Sequence, residues 1–430
     1  MTATLIAFAV LFALMFWGVP IGFAMGLVGA VGFATFVGWQ PTGAMVGQIV
    51  TDNVFNYGFS LLPLFVLMGN LITNAKMSDE LYAASYAVLG HLRGGLAMST
   101  IVACGGFSAV CGSSMATAAT MARVAYPQMR RYGYSDGLAS ASIAAGGTLG
   151  ILIPPSVIMV IYGFMTDTDI GKLFVAGIIP GAVGILFYLA AVWASVTLRP
   201  GSAPPGEAMS WREKLRAVRG VAGVASLFAV VMIGIYGGIF TPSEAAGIGA
   251  TGAFLIALAR RTLTWKTLAT TLVETARTSS MMFIVLFGAL IFSNFVNIAG
   301  TPASLAASMT QLSVSPIVIV LIICAIYLVL GCMLESLSMM LLTIPIFYPI
   351  VRALGFDMVW FGIIVVVVIE ISLITPPVGM NVFVLKAILP DVPVAAMFRG
   401  LVPFIVADIV RLALLIFVPA ISLVLPSLMR

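Results

Sequence analysis

A single displacement constrains this chain more than any other feature. Tyr126-Pro127 reappears as Tyr348-Pro349, and 348 − 126 = 222. The same displacement carries Ser114 to Ser336, Arg130 to Arg352, Gly133 to Gly355 and Pro154-Pro155 to Pro376-Pro377, all in one ungapped register. Most other positions differ, so the shared landmarks are residues that apolar sequence seldom places by chance. They mark a duplication centred on Gly112 to Pro155 and its echo. A weaker match extends it: Val66-Leu67 with Gly69 returns as Val285-Leu286 with Gly288, offset by 285 − 66 = 219.

What is duplicated follows from polarity. Of 430 residues, 61% are hydrophobic and 8% charged, against roughly a quarter charged in soluble domains. Long apolar runs recur without the alternation of barrel strands, so the expected fold is an all-α polytopic membrane protein. No Lys or Arg precedes Lys76, so the first apolar run lacks a signal peptide's basic n-region and is expected to remain in the mature chain. Cys104, Cys111, Cys324 and Cys332 have no CxxC spacing or His neighbours and are expected as buried free thiols, not metal ligands. The net charge of +5 belongs mostly to loops and gives a nucleic-acid partner no support.

Punctuation divides the chain into repeat one (1–198), a cytoplasmic linker (199–219) and repeat two (220–430). In repeat one, scaffold helices occupy 1–75, with Gly18-Val19-Pro20 splitting the first two and the polar stretch 40–57 lying at the interface. An amphipathic arm follows at 78–92, opened by Ser78-Asp79-Glu80. The stretch 94–130 is apolar but interrupted by Gly105-Gly106 and Gly112-Ser113-Ser114, with basic residues at both ends, which predicts a re-entrant hairpin. In 135–165, Pro154-Pro155 lacks amide protons and should break the helix in mid-membrane. A span at 173–196 closes the unit. Repeat two runs through scaffold helices 220–298, an arm 301–314, a hairpin 315–350, a broken helix 358–387 around Thr375-Pro376-Pro377, and a last span 401–424.

Each repeat then has five crossings plus a hairpin, and an odd number inverts the second copy. With the linker inside, most Lys and Arg fall on the cytoplasmic side, leaving only Lys172, Arg352 and Arg430 outside and Arg123 and Arg411 within elements. The positive-inside rule therefore predicts both termini outside, the first hairpin opening to the cytoplasm and the second to the outside.

Inverted repeats with opposed hairpins and broken helices are the plan of secondary transporters, whose sites lie near the midplane. A sodium ion needs several oxygen ligands, which Ser hydroxyls and free carbonyls near Gly and Pro supply. Half-helix N-termini favour an anion. One predicted cation site is Gly112, Ser113 and Ser114 facing Gly150 to Pro154. Its mate is Glu335, Ser336 and Ser338 facing Thr375, Pro376 and Gly379. Candidate substrate contacts between the tips are Ser114, Thr117, Ser156, Ser338 and Asn381.

The runs GGFSAVCGSSMATAAT, GGTLGILIPPSVIMVIYG, FTPSEAAGIGA and ITPPVGMNVFVL resemble the large membrane subunit of tripartite ATP-independent periplasmic (TRAP) transporters, the DctM type, over essentially the whole chain. The resemblance implies sodium-driven uptake of a carboxylate, such as a C4-dicarboxylate or sialic acid, across a bacterial inner membrane, with sodium as coupling ion and no organic cofactor. It also implies a DctP-type periplasmic binding protein, a DctQ-type small membrane subunit and an elevator motion of hairpins and broken helices against a scaffold. The small subunit is expected as a separate chain, because the first apolar pair opens the sequence. The cation assignments above follow the family's pattern of hairpin tip plus broken helix.

Other roles compete for these residues. Gly112 to Ser114 can serve close helix packing, and Glu335 can cap a half-helix or serve function. Glu370, at the position equivalent to Thr148, is a structural hydrogen-bonding group or an ion relay. Arg123 snorkels or faces the substrate, Asp408 and Arg411 are expected to pair, Asp52 is solvated or meets a partner, and His91 is interfacial. An intramembrane serine protease would need a base at membrane depth, which His91 does not provide. No catalytic residue is assigned. The remaining alternatives are a stand-alone sodium/dicarboxylate carrier of similar hairpin architecture and a passive channel.

Overall fold

The computed structural model describes residues 2–75, 77–302, 304, 315–332 and 334–429. Lys76, Arg430 and most of the arm expected over 301–314 lie outside the described residues. All regular structure among the described residues is helical, and seven helices are long and apolar enough to cross a membrane. The protein is an all-α polytopic membrane protein.

The first half contains α1 (Thr2–Phe16), α2 (Ile21–Val37), α3 (Trp39–Val54), α4 (Leu61–Asn74), α5 (Met77–Leu89), α6 (Gly95–Cys111), α7 (Ser114–Arg131), α8 (Asp136–Thr148), α9 (Val157–Thr166) and α10 (Ile170–Leu198). The second contains α11 (Trp211–Tyr236), α12 (Pro242–Ala259), α13 (Trp265–Ile298), α14 (Pro316–Gly331), α15 (Ser336–Ala353), α16 (Met358–Ser372), α17 (Met380–Ile388), α18 (Val394–Phe417) and α19 (Ala420–Ser427). Adding 222 to the ends of α7, 114 and 131, gives 336 and 353, the ends of α15; adding it to 136 gives 358, the start of α16. Helix lengths thus repeat where the landmark residues do.

Two boundaries differ from the sequence expectation. The stretch 199–219 is helical from Trp211, because Ser210 and Glu213 cap each other: the Ser210 amide donates to Glu213 Oε2 at 2.7 Å and the Glu213 amide to Ser210 Oγ at 3.4 Å. The segment before it is strapped down, with Gly94 donating to the Ala203 carbonyl and Ser135 to that of Ser202. The last span begins at Val394 and stops at Phe417, ahead of Pro419. Pro419 has no proton for the Leu415 carbonyl, and the Trp360 indole donates to that carbonyl at 2.9 Å.

The halves interlock. α2 lies along α13 and α4 along α12, which are equivalent pairs under the repeat. The hairpin arms cross over: α7 packs on α17 of the second half, and α15 on α9 of the first. α8 meets α18 as α16 meets α10. Four exposed tryptophans stand at helix ends, Trp17 after α1, Trp39 opening α3, Trp211 opening α11 and Trp265 opening α13, where indoles favour the membrane–water boundary.

Without a hydrophobic drive between helices in lipid, association relies on close approach. A methyl group on Gly29 of α2 would lie 2.7 Å from Phe292 Cα of α13, and one on Gly22 would lie 2.9 Å from the Ile284 carbonyl. Gly29→Val is therefore expected to part these helices and lower the melting temperature of the detergent-solubilised protein. Gly43→Val, where nothing among the described residues lies within 4 Å, serves as the control. Equal melting of the two variants would contradict the close-packing role.

Candidate functional site

The first hairpin turns at Gly112, whose φ of 62° places it in the left-handed region that closes α6. Ser113 follows in extended backbone and caps α7, its hydroxyl accepting from the Ala116 amide at 3.4 Å. This tip sits directly on the first break. A methyl on Gly150 would lie 2.8 Å from the Ser113 carbonyl oxygen, and one on Gly112 would lie 3.1 Å from the Pro155 carbonyl oxygen. Glycine at both positions lets the two backbones approach this closely. Pro155 supplies no proton to the Ile151 carbonyl one turn earlier, and the Ser156 hydroxyl donates there at 2.5 Å while accepting from the Met159 amide at 3.4 Å. Ser156 is thus the N-cap of α9, not a group aimed between the tips.

The second hairpin is built differently at the same place. Glu335 caps α15, its Oε2 accepting from the Leu337 and Ser338 amides at 3.1 and 3.2 Å and from the Ser338 hydroxyl at 3.4 Å. The capping role weighed for Glu335 is the one its geometry shows, and it occupies Ser338 as well. Contact with the second break comes instead from Cys332, whose thiol sulfur lies 3.3 Å from the Pro376 carbonyl and 3.1 Å from the Leu328 carbonyl of its own helix. The break itself is held from both sides. Asn381 donates its amide to the Leu373 carbonyl at 3.1 Å, the carbonyl that Pro377 cannot serve, and Gly379 starts α17 with φ of 63°. Thr375 turns its hydroxyl back to the Ile371 carbonyl at 2.6 Å.

One polar bridge joins the halves at the tips. The Ser114 hydroxyl donates to Asn381 Oδ1 at 3.0 Å, and Asn381 Nδ2 donates to Ser114 Oγ at 2.8 Å and to the Ala144 carbonyl at 3.0 Å. Both residues are buried, as is Thr117, whose hydroxyl donates to the Ser113 carbonyl at 2.8 Å. Of the sequence-selected residues, the structure therefore brings Ser113, Ser114, Thr117 and Asn381 into one connected group beside Gly150. Ser336 is also buried, at the start of α15. Arg123, Asp52 and His91 are exposed. Cys104, Cys324 and Cys332 are buried free thiols and Cys111 is half-buried.

A second polar cluster, only partly foreseen, lies behind the breaks. Asp408 and Arg411 pair within α18 at 2.8 Å as their spacing predicts, and Glu370 of α16 joins the same Arg411 Nη2 at 2.5 Å. Tyr188 of α10 donates to Asp408 Oδ2 at 2.7 Å and stands 3.0 Å from the Thr148 hydroxyl of α8. All five side chains have zero exposure. Gly184, one turn before Tyr188, leaves the room: a methyl there would collide with Arg411 Nη1. The signal available in the sequence was an acidic residue, Glu370, within an apolar helix at the position equivalent to Thr148 under the repeat.

A helical membrane fold whose two hairpins close on two broken helices defines a permease-type protein. The family model for the DctM component of tripartite ATP-independent periplasmic transporters matches residues 8–421. The chain is 35% identical over 373 residues to the C4-dicarboxylate TRAP transporter large permease protein DctM of Pseudomonas aeruginosa, covering 86% of this chain and 87% of that one. It is 32% identical to the sialic acid TRAP transporter large permease protein SiaM of Vibrio cholerae, covering 96% of each. Among solved structures, the YdaH transporter of Alcanivorax borkumensis superposes with a TM-score of 0.62 at 15% identity, over 87% of both chains, a likeness of fold. The chain belongs to the DctM family, the large permease subunits of TRAP transporters, and is a multi-pass bacterial membrane protein. Membership implies a tripartite system with a small membrane subunit and a periplasmic binding protein.

Proposed function

We propose that this chain takes up a small carboxylate with sodium, receiving it from a DctP-type periplasmic binding protein and working with a DctQ-type small subunit in the inner membrane. The observation that carries this is the close apposition of hairpin tip and helix break, Gly112–Ser114 against Gly150–Pro155, which places the Ser113 and Pro155 carbonyls beside the glycines of the opposite element, oxygen donors of the kind a hard monovalent cation takes. The equivalent position in the second half is the mate, with Glu335, Ser336 and Thr375–Gly379 around it. The bridge of Ser114 and Asn381, with Thr117 beneath, is the candidate substrate platform between the tips. Relatives named for C4-dicarboxylates and sialic acid support a carboxylate cargo.

Motion is proposed as an elevator, with α1–α4 and α11–α13 as scaffold and the hairpins and broken helices as the moving unit. α10 and α18 are assigned to the moving unit because the ionic cluster ties them to α8 and α16. The linker is placed in the cytoplasm and both termini outside, following the charge distribution. Uptake into proteoliposomes, with and without a sodium gradient, small subunit and binding protein, tests the reading. Accumulation is expected only when all are present. Accumulation by this chain alone would instead make it a stand-alone carrier, and flux that ignores the sodium gradient would make it a channel.

A further inference from the structure

Three helix ends meet on the linker side of the fold: α8 starts at Asp136, α10 stops at Leu198 and α18 starts at Val394. The segment before α11 is fixed to them, because the Ser135 amide donates to the Ser202 carbonyl at 2.9 Å. Just inside this edge α8 and α18 cross closely. A methyl on Gly137 would lie 3.0 Å from the Ala396 carbonyl oxygen, and one on Gly400 would collide with the Gly137 carbonyl. Beside that crossing the ends part around a pocket of about 480 Å³.

Two arginines line the pocket, Arg199 just past the end of α10 and Arg399 in the second turn of α18. Both are exposed, and neither guanidinium has a hydrogen-bond or ion-pair partner among the described residues. The hydroxyls beside them are already committed: Ser195 donates to the Ala191 carbonyl at 2.7 Å and Ser202 to the Arg199 carbonyl at 2.9 Å. Asp136, next to Ser135 in sequence, accepts from the Tyr126 hydroxyl at 2.8 Å and takes no part in the lining. The donors left unengaged are therefore two guanidiniums, whose planar forks match phosphate oxygens. The first turn of α8, which contributes Gly137 to the wall, adds its partial positive charge.

The repeat does not account for these charges. Under the displacement of 222, Arg199 corresponds to Ile421, Arg399 to Gly177 and Ser135 to Asp357, so these positions in the other half carry no arginine and one acid.

What accompanies the charge is apolar. α10 and α18 are both long and apolar enough to cross a membrane, so the pocket lies at the level where spans meet lipid headgroups. Leu198 and Val402 on its rim are exposed, and exposed Val406 and Val410 continue a lane down α18. A soluble anion would use the arginines and leave this lane bare, whereas a lipid uses both. Basic pockets between membrane helices suit anionic headgroups.

We propose that this pocket holds an anionic phospholipid, its headgroup phosphate taken by Arg199 and Arg399 and an acyl chain lying along Val402 and Val406. The site is independent of the sodium-coupled reading above.

Melting of the full chain in neutral detergent, titrated with phosphatidylglycerol, tests this. Wild type should be stabilised saturably by phosphatidylglycerol and much less by phosphatidylcholine at the same mole fraction. Arg199→Gln combined with Arg399→Gln should raise the half-saturating mole fraction of phosphatidylglycerol on the order of tenfold. Arg130→Gln combined with Arg131→Gln removes two exposed cations that do not line the pocket and should leave the titration in place. If a variant melts too low to titrate, native mass spectrometry of the phosphatidylglycerol retained through purification gives the same comparison. No saturable effect of phosphatidylglycerol on wild type, an Arg199 and Arg399 pair variant that titrates as wild type does, or an equal loss in the Arg130 and Arg131 pair would overturn the proposal. Equal stabilisation by inorganic phosphate alone would make the pocket a soluble-anion site and overturn it likewise.

Discussion

Arg411→Ala is expected to yield little or no monodisperse protein after detergent extraction. The substitution leaves Glu370 and Asp408 facing one another at zero exposure with no counter-charge, a situation that costs about 3–5 kcal/mol. That is a large share of the ~5–15 kcal/mol by which folded domains usually persist. The loss should be reversible by chemistry rather than by shape. Arg411→Met combined with Glu370→Gln and Asp408→Asn removes all three charges together, and such neutral replacements of buried ion clusters are often well tolerated. Size-exclusion profiles and melting curves of the single and triple variants decide the matter. An Arg411→Ala protein that melts with wild type would show that the cluster contributes no net stability.

Ser114→Leu is expected to abolish uptake while the complex still assembles. Ser114 is buried, and its hydroxyl exchanges hydrogen bonds with Asn381 across the two halves. A leucine removes that partner and adds bulk where the tip meets the break. Overpacking of this kind costs roughly 1–3 kcal/mol, enough to displace the tip without unfolding a protein of this size. Transport in proteoliposomes should fall below about a tenth of wild type, with unaltered association with the small subunit on co-purification. Ser336→Leu makes the same insult at the equivalent position of the second half and is expected to act alike. Sodium-dependent uptake at the wild-type level in either variant would remove that serine from the site.

How far the sequence exposed all this can be traced through single residues. Gly112-Ser113-Ser114 and Pro154-Pro155 were legible because glycine and proline within apolar runs interrupt a membrane helix, and the hairpin and break form where they stand. The start of α11 was obscured by its own charge: Arg212, Lys214 and Arg216 suggest a solvated linker, while the helix is fixed by the spacing of Ser210 and Glu213. Ser156 looked like a ligand and is a cap, since only the geometry around Pro155 shows which carbonyl lacks a donor. The meeting of Glu370 with Arg411, and of Tyr188 with Asp408 and Thr148, could not be read at all, since these residues come from four helices and nothing local to any of them encodes it.

The exchange of partners between halves has a consequence for how they assemble. α7 finds its packing on α17, and α9 finds its packing on α15, so a lone half would leave the inner face of its hairpin and of its second half-helix bare. Two separate half-length chains could cover those faces for one another. In this chain the stretch between Arg199 and Ser210 joins the two halves, so that each meets its complement without having to find it in the membrane.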